Sequence, residues 1–112
     1  FRRVLFRSVL PVILTPGVTV NTDAALSNNF TLTAAQNFTL ANPTNLTDGM
    51  ILNFRIKQDA TGSRVVTWGS KFKFPGGTAG VLSTTANAVD FMSCYYDGPS
   101  DTLDCVLNKA FA

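Results

Sequence analysis

The sequence predicts an all-β fold: a small antiparallel β-sandwich, jelly-roll-like, with about eight to ten short strands. Short segments alternate between apolar and polar residues, and turn-forming sequences separate them at intervals of about 8–12 residues. Thr and Asn are abundant, which favours strands and turns, whereas Glu, a helix former, is absent. With 112 residues and 46% hydrophobic content, the chain fits one domain with one core.

The first eight residues are set apart from the rest. They match the translation of the 3′ end of a common sequencing adapter, TTC AGA CGT GTG CTC TTC CGA TCT, and we expect them to be non-native. The alternative is the basic start of a signal peptide, with residues 9–14 as its apolar segment. Pro11 and the lack of a small-residue cleavage site weigh against it. We therefore expect residues 9–112 to form one domain at the C-terminal end of a longer chain.

The net charge depends on residues 1–8. Without their three arginines, six basic residues face seven Asp, and the formal net charge falls from +2 to −1. The basic balance that is typical of nucleic-acid-binding proteins is then missing. No apolar run reaches the ~18 residues that a membrane-spanning helix requires, so membrane insertion is not expected either.

Two hairpins are predicted in the first two thirds of the chain. Every second residue from Met50 to Ile56 is apolar, and the turn at 58–63, with Gly62, predicts a return along 64–68. The sequence Asn-Phe-Thr-Leu at 29–32 recurs at 37–40, which predicts a second hairpin. We interpret this recurrence as paired strands and not as a solenoid, because solenoid repeats have periods of about 20–50 residues.

Cys94 and Cys105 lie symmetrically about the turn at 97–102, so a hairpin places them directly opposite each other. A cross-strand disulfide fits this placement if the pair occupies a non-hydrogen-bonded site. The alternative is two buried thiols in a protein made in a reducing cytosol. Without His, two cysteines make no zinc site.

The residue types argue against an enzyme. Because His is absent, Ser-His and Cys-His nucleophiles and a histidine general base are excluded. Asp97, Asp101 and Asp104 cluster near one turn but lack the spacing of a calcium-binding loop. The glycine pairs lack a phosphate-binding context. We expect no catalytic residue, no metal and no cofactor.

Aromatic and basic residues are the candidates for binding a glycan or receptor, because aromatic rings are a common surface for sugars. The candidate contacts are Trp68, Tyr96, Lys71 and Lys73. Packing in the core is the alternative for the two aromatic residues. The two lysines, with Arg55 and Lys57, are also explained by a solvated strand face.

The stretch from 58 to 77 resembles a module found at the ends of phage and prophage virion proteins, among them tail-fibre, appendage and minor structural proteins. The residues that carry the resemblance are Gln58-Asp59, Thr61-Gly62-Ser63-Arg64, Val66-Thr67-Trp68-Gly69-Ser70, Phe72, Phe74 and Gly76-Gly77, together with segments 39–43, 48–49, 82–86, 89–90 and 95–98. It covers roughly residues 15–111. One departure is Leu103-Asp104-Cys105, where such modules often carry a Trp, so no aromatic site is expected there.

The resemblance implies a β-rich virion domain, often on a trimeric protein, that is made in the host cytoplasm. It transfers no catalytic residue. We expect a non-enzymatic structural domain of a tail fibre or appendage that associates with other virion proteins, forms a homotrimer and contacts a host surface glycan. The alternatives are a carbohydrate-binding module of a virion-associated cell-wall-degrading enzyme and a capsid decoration domain.

Overall fold

The computed structural model describes residues 10–111, which form nine strands and one 3₁₀ turn. Residues 1–8, which we expect to be non-native, lie outside the described residues. The strands are β1 (Val12–Ile13), β2 (Thr19–Val20), β3 (Asn29–Ala34), β4 (Phe38–Leu40), β5 (Ile51–Gln58), β6 (Val66–Trp68), β7 (Phe72–Lys73), β8 (Val89–Asp97) and β9 (Thr102–Phe111), and the 3₁₀ turn spans Pro75–Gly77.

Two sheets enclose one core. The larger sheet has six strands in the order β1-β3-β5-β8-β9-β7, and the smaller has three in the order β2-β4-β6. Buried side chains from both sheets form a single hydrophobic cluster. The all-β class, the two sheets and the number of strands are as the sequence predicts.

The first six strands form three successive coils, and each coil gives one strand to each sheet. β1, β3 and β5 run parallel in the larger sheet, and β2, β4 and β6 run parallel in the smaller. The chain therefore winds like a short parallel β-solenoid. Antiparallel pairing, which the sequence predicts throughout, joins β5 to β8 and β8 to β9, while β7 lies parallel to β9 at the edge.

The two predicted hairpins are wrong. β3 and β4, which carry the repeated Asn-Phe-Thr-Leu, lie in different sheets, and so do β5 and β6 on either side of Gly62. In both places the chain turns a corner between the sheets and pairs with a neighbouring coil. Alternation with period two does not distinguish the two outcomes, because Phe30 and Leu32 are buried in either one.

Rows of side chains hold the parallel coils in register. On the core side, Phe30 stacks on Phe54 with 5.4 Å between the ring centroids. On the outer side, the amide of Asn53 donates to Asn29 Oδ1 over 3.1 Å and accepts from the Ser93 hydroxyl over 2.8 Å. A slip by one residue would break both rows and turn the apolar residues outward.

The corner after β5 is built by Asp59 and Gly62. Asp59 Oδ1 accepts hydrogen bonds from the N–H groups of Thr61 and Gly62, and Oδ2 pairs with Arg64 at 2.8 Å. The hydrogen bond from Arg64 holds the pKa of Asp59 below its usual value. Gly62 has a φ of 75°, and a Cβ there would lie 2.6 Å from the carbonyl oxygen of Thr84. Glycine is required here because a side chain would disfavour the positive φ and would collide with the Thr84 carbonyl oxygen.

Gln58, Ser83 and Asp90 form a hydrogen-bonded polar group that we call the Ser83 cluster, in which Gln58 and Asp90 are buried and Ser83 is half-buried. Gln58 is 2% exposed, and its Nε2 donates to the carbonyls of Arg64 and Ser83 while its Oε1 accepts the N–H of Arg64, each over 2.9 Å. Asp90, also 2% exposed, accepts the Ser83 N–H at 2.7 Å, the Ser83 hydroxyl at 2.8 Å and the Ala110 N–H at 2.9 Å. The cluster ties the end of β5, the loop before β8 and the end of β9 together.

Replacing Asp90 by Ala tests the Ser83 cluster. The change leaves three donors without their charged acceptor, and we expect the free energy of unfolding to fall by about 3 kcal/mol. Urea unfolding followed by circular dichroism measures the difference. Asp104→Ala is the matched control, because Asp104 is exposed, and it should change stability by less than about 0.5 kcal/mol. Equal losses in the two variants would contradict the role given to the cluster.

Candidate functional site

An open groove of about 680 Å³ lies where β6, β7 and the loop after the 3₁₀ turn meet. We call it the Trp68 groove. Its main side chains are Val66, Trp68, Phe72, Lys73, Phe74 and Val81.

Three aromatic rings build one wall of the Trp68 groove. The ring of Trp68 lies 5.6 Å from that of Phe72 and 5.0 Å from that of Phe74, centroid to centroid. The indole Nε1–H of Trp68 donates to the carbonyl of Gly80 over 2.8 Å, which fixes the ring against the loop. Trp68 and Phe74 are half-buried and Lys73 is exposed. A rigid aromatic surface with a cation at its edge can stack on a sugar ring and attract its polar substituents.

The corner between β6 and β7 positions this wall. Asn42 reaches across from the previous coil: its Oδ1 accepts the N–H of Lys71 over 2.8 Å, and its Nδ2 donates to the Ser70 hydroxyl over 3.0 Å. A Cβ on Gly69 would lie 2.4 Å from Asn42 Oδ1, so this close approach requires glycine. Sequence reasoning found the Gly69-Ser70 break but not Asn42, its partner in the preceding coil.

Residues 14–101, which include β2 to β8, match the family model described as "Putative phage tail fibre C-terminal domain". The chain belongs to this family. The resemblance to virion modules is thereby confirmed, and as a tail-fibre domain the chain is part of the virion, together with other virion proteins. No curated protein and no solved structure matches the chain.

In the tail-fibre domain the four candidate contacts fall into two places. Trp68 and Lys73 line the groove. Lys71 and Tyr96 meet instead at Asp101, whose carboxylate accepts from the Lys71 Nζ and from the Tyr96 hydroxyl. The hydrogen bond from Lys71 lowers the pKa of Asp101, and the Asp101 carboxylate raises the pKa of Tyr96. Tyr96 is 9% exposed, so its ring packs in the core and offers little surface to a ligand.

Cys94 and Cys105 face each other across β8 and β9, in the register that the turn predicts. Their Cα atoms lie 4.1 Å apart, the short spacing of a non-hydrogen-bonded antiparallel pair, and a disulfide joins the two sulfurs. Both residues are buried. A virion protein leaves the reducing cytoplasm when the cell lyses. A disulfide persists in the oxidising environment outside the cell.

The described part of the tail-fibre domain has no side-chain cluster that meets the requirements of a metal site. Within residues 10–111, no three acidic or cysteine side chains come close enough together to hold one. Asp101, which the sequence places near Asp97 and Asp104, is paired with Lys71. In the same part of the chain no helix is long and apolar enough to cross a membrane.

Replacing Cys94 and Cys105 together by Ala tests the disulfide. The bond closes a loop with a sequence separation of 11 residues, and its loss should lower the free energy of unfolding by about 3 kcal/mol. Adding a reductant to the unchanged domain should have a similar effect in urea unfolding. The double variant is the control, since it should not respond to reductant. A domain that reacts fully with a thiol reagent before any reduction would contradict the disulfide.

Proposed function

We propose that this tail-fibre domain is a non-enzymatic adhesive module that contacts the host cell surface by binding a glycan in the Trp68 groove. The observation that carries the proposal is the half-buried Trp68, held between Phe72 and Phe74 and by its hydrogen bond to Gly80, beside the exposed Lys73. This arrangement presents an apolar face and a positive charge to one open groove.

The rigidity of Trp68 favours binding. Its two ring neighbours and the hydrogen bond to Gly80 fix the side chain before a ligand arrives, so little conformational entropy is lost on binding. Lys73 lies at the rim of the groove without an ion-pair partner among residues 10–111. Of the three virion settings that the sequence leaves open, the family match favours the fibre.

We also propose that the domain is part of a homotrimer, with the first coil at the contact between chains. β1 and β2 are edge strands, each paired on one side within the described chain. Near them Ile13, Val18 and Leu26 are 81%, 70% and 55% exposed. Unpaired edges beside exposed apolar side chains are typical of association surfaces.

Binding to a glycan array of bacterial surface polysaccharides tests the Trp68 groove. Trp68→Ala removes the stacking surface and should weaken binding roughly five- to 150-fold, because stacking of a ligand ring on an aromatic side chain contributes about 1–3 kcal/mol. Lys73→Ala should weaken it severalfold. Val65→Ala, an exposed residue that does not line the groove, is the control and should bind normally. Thermal melts must show folded variants, and full binding by a folded Trp68→Ala variant would refute the proposal.

Light scattering at micromolar concentration tests the trimer. We expect three times the chain mass for the unchanged domain and a single chain mass for Leu26→Asp, since a buried unpaired carboxylate opposes an apolar contact. Val65→Asp is the control: Val65 is 57% exposed but lies outside the first coil, and this variant should stay trimeric. A monomeric unchanged domain would show that residues 10–111 do not form the trimer by themselves.

A further inference from the structure

A second groove, of about 580 Å³, lies on the outer face of the larger sheet. We call it the cationic groove. It is lined by Arg55, Lys57, Asn87, Val89, Phe91 and Phe111. None of these residues lines the Trp68 groove.

Strand pairing brings charge and apolar surface together in the cationic groove. In the antiparallel pair of β5 and β8, Arg55 stands directly opposite Phe91, and Lys57 directly opposite Val89. Side chains at such positions share one face of the sheet, about 5 Å apart at Cβ. The guanidinium of Arg55 and the ammonium of Lys57 therefore lie beside apolar side chains that are themselves half-buried.

Neither cation of the groove forms an ion pair within residues 10–111. Among residues 10–111, two of the six cations form ion pairs, Arg64 with Asp59 and Lys71 with Asp101. Of the four others, two lie side by side in this groove. The sequence alone favours a solvated strand face here, but a solvated face does not need the apolar neighbours that the structure places around the charges.

A β-bulge brings Phe111 to the cationic groove. Opposite β8 the register changes from Phe91 with Asn108 to Val89 with Phe111, which leaves one extra residue on β9. Ala110 in this bulge has a φ of 59°, and its N–H donates to the buried carboxylate of Asp90. Without the bulge, Phe111 would point to the opposite face of the sheet. The bulge instead leaves the Phe111 ring 54% exposed at the groove.

We propose that the cationic groove binds an acidic polysaccharide, holding one sugar unit by its carboxylate or phosphate. The planar guanidinium of Arg55 matches the two oxygens of either acid group, and Lys57 adds a second positive charge. Phe111 and Phe91 offer apolar faces to the sugar ring. The site uses residues that the Trp68 groove does not, so either proposal can fail alone.

Titration calorimetry with the purified chain tests the site. The probes are an oligogalacturonate, which carries carboxylates, an oligomer of glycerol phosphate, and a neutral malto-oligosaccharide of similar length. We expect at least one acidic probe to bind, the neutral one not to bind, and the affinity to fall as salt rises. The acid group that binds identifies the ligand chemistry.

Two variants that each remove one positive charge distinguish binding in the cationic groove from a general attraction between the acidic probe and the basic residues of the surface. Arg55→Ala should weaken binding of the acidic probe at least tenfold, and Phe111→Ala severalfold. Lys109→Ala is the control, since Lys109 is an exposed cation without an ion pair in the described chain and lines no part of this groove; it should stay within twofold.

Three outcomes would overturn the proposal: no binding of either acidic probe, an equal loss with Lys109→Ala, or a fall in oligomer mass with Arg55→Ala, which would assign the groove to a second copy of the chain. If the Trp68→Ala variant binds the acidic probe normally but no longer binds the glycan array, the result would support two separate sites. If neither acidic probe binds the unchanged chain, only the proposal for the cationic groove fails, and the proposal for the Trp68 groove is unaffected.

Discussion

The Ser83 cluster is the interaction on which both grooves depend. Ser83 offers its carbonyl to Gln58, the last residue of β5, and its N–H and hydroxyl to Asp90, near the start of β8. An amide and a carboxylate buried to this degree would be destabilising without partners, but here each has its hydrogen bonds in place. The cluster therefore specifies one position for the loop 78–88. That loop supplies Ala79, Gly80 and Val81 to the Trp68 groove and Asn87 to the cationic groove.

The coils and the hairpin of β8 and β9 play different structural roles. The parallel coils build the core by stacking each residue on its equivalent, which leaves few irregular positions. Beyond the corners of the coils, irregular backbone occurs in the loop that presents the Gly80 carbonyl to Trp68 and in the bulge at Ala110. The loop lines the Trp68 groove, and the bulge brings Phe111 to the cationic groove. The hairpin is fastened in turn by the cross-strand disulfide.

The sequence predicts those parts of the fold that depend on local pattern. Alternation identifies the all-β class, and the turn at 97–102 gives the register of Cys94 and Cys105. The parallel coils are not predictable in the same way, since a strand that turns a corner and one that turns back have the same alternation. Trp68 is recognisable as a candidate by its residue type. Arg55 is not, because its neighbours across the sheet are set by pairing with β8, and Phe111 reaches its groove only through a bulge that leaves no mark in the sequence.

The distribution of charge gives a physical reason to treat the cationic groove differently from other exposed cations. A hydrated cation on a strand face needs no partner, so the lack of an ion pair at Lys109 indicates nothing by itself. Arg55 and Lys57 differ because they line one groove together with Val89, Phe91 and Phe111. Neither cation has an ion-pair partner among residues 10–111 that would compete with a ligand. An acid group in the groove would therefore meet two positive charges and an apolar surface at once, whereas at Lys109 it would meet a single hydrated cation.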